Sequence, residues 1–202
     1  KNVINQTLKK KLALFTNVSK EAVFSAVDAK SIYDIPIMFS EQKIDSFMMK
    51  SFKIKDRRLN LKPWKDYKKK VKKCKNQVKI AMIGKYVDLV DSYKSLNEAL
   101  YHAGVINNKI VEILYLDSEK LNKRNIKQLS AMNGILVPGG FGDRGIEGKI
   151  LAAQYARVNN IPYFGICLGM QISVIEFARN VIKLDKANST EFDKDTKNPV
   201  VA

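Results

Sequence analysis

An open α/β sheet of parallel strands with helices on both faces is the fold that the second part of the chain predicts. Three observations predict it. Short apolar runs rich in β-branched residues alternate with helix-period segments from about residue 78 onward. That alternation implies parallel pairing through right-handed crossovers. Loops that hold or follow glycine end three of the apolar runs, where sheets of this kind hold their ligands.

The elements follow in order. Residues 78–84 (VKIAMIG) form a short apolar run closed by Gly84, which reads as a buried strand. Asp91 and Ser92 are possible caps for a helix with Tyr93, Leu96, Leu100 and Ala103 on its apolar face and Gly104 at its end. Ser95 with Glu98 offers a second capping box. Residues 109–116 (KIVEILYL) read as a strand and 121–132 as a helix. Residues 134–137 form a strand running into a glycine loop, and 146–158 a helix with Ile146, Ile150, Ala153 and Arg157 along one side. Residues 161–166 are a strand and 170–180 a helix. The chemistry is therefore expected in the loops after Gly84, Val137 and Ile166.

Composition narrows the function classes. The 202 residues carry a net charge of +16, unevenly spread. Residues 1–80 hold 21 Lys and Arg against 7 Asp and Glu, while the remainder holds 15 against 13. The run at 68–73 (KKKVKK) reads as part of a solvated basic linker over 55–76. A polyanion-binding patch is the sharper reading and a Lys, Asn and Ile-biased composition a third. Nucleic acid is disfavoured, because Lys outnumbers Arg and few aromatics are interleaved. Two cysteines do not make a disulfide scaffold, and a reducing, cytoplasmic compartment is expected. No uncharged apolar stretch approaches the roughly 18 residues of a membrane span. One histidine, His102, excludes a histidine-rich metal site, and no metal ligands are assigned. It also excludes most Cys/His catalysis unless His102 is the base.

The loop after Ile166 carries the strongest signal. Gly165-Ile166-Cys167-Leu168-Gly169 fits a nucleophile elbow with cysteine as nucleophile, between a strand and a helix. The nucleophile sits in a tight, strained turn, and the flanking glycines let neighbouring chains close around it. The positive end of the following helix favours an anionic sulfur, and the Leu168 N–H is placed to donate to an oxyanion. Pro138-Gly139-Gly140-Phe141-Gly142 follows the neighbouring strand, and Gly140 offers a second donor. Together the loops point to acyl transfer through a thioester. The plain alternatives are an inert core cysteine and a structural turn. His102 is expected at the end of its helix, at the opposite end of the sheet from Cys167.

These motifs carry a resemblance. Residues 134–180 (GILVPGGFGDRGIEGKILAAQYARVNNIPYFGICLGMQISVIEFARN) and 78–104 (VKIAMIGKYVDLVDSYKSLNEALYHAG) resemble the class I glutamine amidotransferase domain of the CTP synthases. The tail Ala187-Asn188-Ser189-Thr190-Glu191-Phe192 resembles a motif of the same enzymes, and residues 10–45 are similar to the end of their synthetase domain. The resemblance implies an α/β synthetase-domain end, P-loop-like, over 1–54. A linker over 55–76 and the first part of an amidotransferase domain over 77–202 complete the implied layout.

It also implies chemistry. Glutamine is hydrolysed at one site, and ammonia passes internally to another. There ATP phosphorylates the 4-oxygen of UTP and ammonia displaces phosphate, giving CTP for pyrimidine nucleotide biosynthesis. Mg2+ is required, GTP activates, CTP inhibits by feedback, and the assembly is a homotetramer. Residue by residue, Cys167 is the implied nucleophile. Gly140, Leu168, Gly169, Met170, Gln171 and Glu191 are implied in glutamine binding, with Glu191 on the substrate's α-ammonium. Lys11, ahead of a strand, matches a lysine on pyrimidine nucleotide phosphates, and Val27, Asp28 and Ala29 match a segment contacting ATP.

Departures from the pattern qualify it. Residues 1–80 contain no glycine, so the family's phosphate-binding loop and its Mg2+ ligands are expected outside this chain. The family's catalytic His and Glu lie beyond Ala202. The expectation is an incomplete, inactive portion of such a ligase. Another cysteine-elbow glutaminase or hydrolase, or a non-catalytic truncated subunit, is the alternative.

Overall fold

The computed structural model describes residues 3–55, 57, 59–85 and 90–202. The chain divides into two compact units, Lys1–Lys73 and Cys74–Ala202. No helix among the described residues is long and apolar enough to cross a membrane.

The first unit is helical where it is regular: α1 (Gln6–Thr16), α2 (Ile35–Glu41), α3 (Ile44–Ser51) and α4 (Lys62–Lys73). The Asn5 side chain accepts from the Leu8 N–H at 2.8 Å and starts α1. Asn17, in the left-handed conformation, ends it. Lys11 therefore lies mid-helix, not ahead of a strand as expected, because the Asn5 cap commits the segment to helical spacing. Between α1 and α2 the chain is held extended by Gln42. Its side chain accepts from the Ser25 N–H and donates to the Ser25 carbonyl, both at 2.8 Å, as a strand neighbour would. Ser25 is buried, and its hydroxyl accepts from the Ile4 N–H.

The stretch expected as a solvated linker contains α4. Trp64, Tyr67 and Val71 recur at helical spacing and make one apolar stripe, while the lysines take the other faces. Tyr33 stacks against that stripe, 4.4 Å from Tyr67 and 5.9 Å from Trp64 between ring centres, and Lys68 pairs with Asp34.

The second unit holds the predicted sheet. Strands β1 (Asn76–Gly84), β2 (Lys109–Asp117), β3 (Gly134–Val137) and β4 (Tyr163–Gly165) run parallel in the order β2-β1-β3-β4. One face buries Ala81, Ile83, Ile135 and Val137 against Ala152 and Ala156 of α6 (Ile146–Val158). The other face buries Met82 and Leu136 against Tyr93, with Leu96 and Leu100 of α5 (Lys94–Ile106) packed on them. Helix α7 (Leu168–Phe177) packs on α6 through Leu168, Ile172 and Ile175. An ion pair fastens the same two helices: the Arg157 guanidinium forks onto the buried Glu176 carboxylate at 2.7–3.2 Å.

Several elements differ from expectation. The 121–132 helix is replaced by turns and a 3-10 segment, Ile126–Ala131. Asn122 and Asn125 take local partners instead: Asn125 Oδ1 accepts from the Asn122 N–H and Asn122 Oδ1 from the Arg124 N–H. Gly104 does not end α5 but sits inside it. A Cβ there would stand 2.7 Å from Val111 Cγ2, so the glycine marks close helix–strand packing. Tyr93, and not Asp91, Ser92 or Ser95, occupies the cap position of α5. Helix α7 begins at Leu168, two residues earlier than expected, and ends at Phe177 in a wider π-type turn, Ala178–Ile182. The tail forms a small parallel pair, β5 (Asn188–Ser189) with β6 (Pro199–Val201), for which the sequence has no periodic signal.

Gly169 is the tightest point near the elbow. A Cβ there would lie 2.0 Å from the Val137 carbonyl oxygen. Gly169→Ala is expected to lower unfolding free energy by about 2 kcal/mol or more, through backbone overpacking, read as a drop in the denaturant midpoint.

Candidate active site

Cys167 stands between β4 and α7 at φ 52°, ψ −108°, a conformation that costs a non-glycine residue energy. Its surroundings impose that geometry. The Ile166 N–H donates to the Val137 carbonyl at 3.0 Å, continuing the β3–β4 pairing up to the turn. The Gly169 N–H then donates to the Ile166 carbonyl at 2.9 Å, closing the turn. A Cβ on Gly165 would lie 2.3 Å from the Gly169 backbone, so the elbow closes only with glycine at both positions. The Tyr163 hydroxyl donates to the Gly169 carbonyl at 2.7 Å from beneath. Burial, with the Glu176 charge adding to it, pushes that phenol well above its usual range, so it stays a donor.

The sulfur-bearing residue is solvent-exposed, not sealed in the core. Cys167 is the N-cap of α7, so the first amides of that helix lie beside it and favour negative charge there. Leu168 is 1 % exposed, and its side chain belongs to the core. Gly169 contributes close packing. Met170 is exposed and Gln171 half-buried on the first turn of α7.

The glycine loop after β3 comes to the elbow as expected. A Cβ on Gly139 would stand 3.5 Å from Cys167 Cβ, and one on Gly140 3.4 Å from Leu168 Cδ2. Glu191 joins them from the tail, where its Oε1 accepts from the Gly142 N–H at 3.1 Å. Gly140, Cys167, Leu168 and Glu191 thus converge at the carboxyl ends of β3 and β4. Lys11, Val27, Asp28 and Ala29 belong to the first unit. Lys11, Asp28 and Ala29 are exposed, and Val27 is half-buried in the extended segment that Gln42 holds.

His102 is not part of the convergence. It sits near the end of α5, two residues before Gly104, which packs on Lys109 and Val111 at the start of β2. Cys167 follows the end of β4, at the other end of the sheet. Among the described residues no group of three or more His, Cys, Asp or Glu can hold a metal ion. That donor set does not fit Mg2+. Residues 86–89 of the 78–104 resemblance lie outside the described residues.

Two lysines near the glycine loop carry no advance signal in the sequence. The Lys85 ammonium, just past β1, donates to the carbonyls of Phe141 and Gly142. Lys149 of α6 is only 2 % exposed. Its pKa is lowered to about 8, first by burial and then by the Lys85 charge. Glu119 opposes that shift, and Arg144 adds to it.

Two family models and several known proteins match the chain. The family model described as glutamine amidotransferase class-I matches residues 88–198, and that described as CTP synthase N-terminus matches residues 1–54. The chain is 52% identical over 197 residues to the CTP synthase of Caldanaerobacter subterraneus subsp. tengcongensis, covering 97% of this chain and 37% of that protein. It is 49% identical over 199 residues to that of Nitratidesulfovibrio vulgaris, covering 98% and 36%. To that of Buchnera aphidicola it is 51% identical over 193 residues, covering 96% and 35%. The chain thus spans little more than a third of the length of these relatives. A solved structure of the Trypanosoma brucei CTPS glutaminase domain with bound acivicin matches with a TM-score of 0.57 at 48% identity, over 60% of this chain and 48% of that one.

Burial of Lys149 gives a pH signature. Its folded pKa of about 8 lies below the unfolded value of 10.5, so between those pH values the unfolded chain binds the extra proton. Stability contributed at this site therefore rises with pH through that window, by up to about 1.4 kcal/mol per pH unit. Denaturation of Lys149→Met followed from pH 7.5 to 10 is expected to lack that rise.

Proposed function

This chain belongs to the class I glutamine amidotransferase family, and from that premise we propose that its second unit forms the glutamine-hydrolysing site of a CTP synthase. The observation that carries the reading is the exposed, positive-φ Cys167 at the N-terminus of α7, with Gly139 against it and Gly140 against Leu168.

The reaction follows from the placement. The Cys167 thiolate attacks the side-chain amide carbon of glutamine, and the carbonyl oxygen becomes an oxyanion. The N–H groups of Leu168 and Gly140 stabilise that oxyanion, a contribution of about 3 kcal/mol for a well-placed donor. Collapse of the adduct breaks the C–N bond. The departing nitrogen takes a proton and leaves as ammonia, with a glutamyl thioester on Cys167. Water then attacks the thioester, releasing glutamate and restoring the thiol. His102, at the far end of the sheet, is not the group that moves these protons. Glu191 lies beside the glycine loop, where a carboxylate pairs with the α-ammonium of the substrate; Met170 and Gln171 flank the same stretch.

In the same reading residues 1–54 are the end of the synthetase domain, 55–76 the linker and 77–202 the first part of the amidotransferase domain. The family models over 1–54 and 88–198 support that division. ATP activates the 4-oxygen of UTP and the ammonia displaces phosphate. Lys11 meets nucleotide phosphate, and Val27, Asp28 and Ala29 meet ATP. Mg2+ accompanies ATP on ligands supplied elsewhere, GTP activates, CTP inhibits, and the working assembly is a cytoplasmic homotetramer.

The test uses the complete gene product. Glutamine-dependent CTP formation is expected to fall at least about a thousandfold in Cys167→Ala, while ammonia-dependent formation persists. Acivicin is expected to add one covalent group to the native protein, mapped to Cys167 by peptide mass, and none to the variant. Undiminished glutamine use by Cys167→Ala contradicts the reading.

A further inference from the structure

The loop Pro138-Gly139-Gly140-Phe141-Gly142 has three glycines in five residues, which leaves its backbone many conformations to lose. A donor to an oxyanion must be fixed before the charge develops, because the advantage of such a site lies in needing no reorganisation. Something outside the loop has to hold it. The structure has two grips, one on each kind of backbone group. The Lys85 ammonium donates to the carbonyls of Phe141 and Gly142, the latter at 3.2 Å. On the other side the Glu191 carboxylate accepts from the Gly142 N–H at 3.1 Å. Gly142 itself is at φ 73°, so both grips act where the loop turns.

Lys85 comes from the end of β1, the central strand that pairs with both β2 and β3. The residue just before it, Gly84, is held to the next strand's end, where its carbonyl accepts from the Ser118 N–H at 2.9 Å. A lysine suits this role, since one ammonium has three donors and can serve two carbonyls at once. The hold on Phe141 and Gly142 fixes the 141–142 and 142–143 peptide planes, and the Glu191 bond grips the first of these again, so the loop is pinned two planes beyond the one that carries the Gly140 N–H.

We propose that Lys85 is a positioning residue for glutamine hydrolysis, which with Glu191 clamps the glycine loop so that the Gly140 N–H faces the oxyanion formed at Cys167. The inference rests on the glutaminase reading above. It adds that the same carboxylate that meets the substrate also tethers the loop, so substrate engagement and oxyanion geometry are linked through Glu191.

Steady-state glutamine hydrolysis in the full-length protein tests it, with iodoacetamide alkylation of Cys167 as the reference. Alkylation by that reagent forms no oxyanion. Lys85→Met is expected to lower kcat at least tenfold with KM changed less than threefold and the iodoacetamide rate unchanged. Lys85→Arg, which keeps donors of similar reach, is expected to recover kcat to within about fivefold of the native value. A Lys85→Met kcat within threefold of native overturns the proposal, as does an effect on KM alone or an equal loss of iodoacetamide reactivity. If Lys85→Met does not fold, Lys85→Gln, whose neutral amide is too short to serve both carbonyls, carries the same expectations. Native protein that hydrolyses no glutamine through Cys167 refutes the underlying reading instead, and is distinguished by Cys167→Ala.

Discussion

The site depends on one close approach, that of the elbow backbone to the end of β3. The Val137 carbonyl accepts the Ile166 N–H and at the same time forms the wall that Gly169 faces without a side chain. Gly165 and Gly169 close on each other under Cys167, and the Tyr163 hydroxyl ties the Gly169 carbonyl from below. With those contacts made, the chain passes through the turn with Cys167 at positive φ. Strain at one residue is thus held by ordinary sheet pairing and by helix packing a few residues away.

Electrostatics near this frame are set by crowding more than by pairing. Burial disfavours the charge of Lys149, and the Lys85 and Arg144 charges add to that while Glu119 opposes it. Arg157 and Glu176, by contrast, satisfy each other in a bidentate pair between α6 and α7, with Asn180 donating to the same carboxylate. The α6–α7 seam that carries the elbow helix therefore combines apolar packing with a fully partnered charge pair. The glycine-loop side concentrates cations instead, and Lys85 directs its own charge onto backbone carbonyls.

What was legible in the sequence was local. The glycine offsets around Cys167, the strand before it and the helix after it lie within fifteen residues, and the structure reproduces them. The β2, β3 and α6 segments were readable for the same reason: each has a continuous period and a clear stop. Failures arose where side chains compete with the backbone, as Asn122 and Asn125 do in place of a helix, or where a glycine serves packing and not termination, as Gly104 does. In the first part, the Asn5 cap turned the segment around Lys11 helical, and the stripe of Trp64, Tyr67 and Val71 made a helix within a lysine run. Glu191 could be named only through resemblance. Its bond to Gly142 spans 49 residues and depends on where the short β5–β6 pair puts the tail. Lys85 and Lys149 were invisible, since nothing in the chain order distinguishes a lysine that reaches a loop or the core from one in water.

Strand β1 lies first in its unit yet occupies the middle of the sheet, flanked by β2 and β3. During synthesis it therefore emerges well before the residues that will cover its second edge, and parallel neighbours close only across long intervening stretches. The thiol follows still later, after β4. An elbow built this way cannot exist in a half-made chain: its strained conformation arises only once the non-local pairing is complete. Until then Cys167 is an unstrained thiol with no helix end beside it, so its positive-φ geometry is coupled in time to the maturation of the sheet.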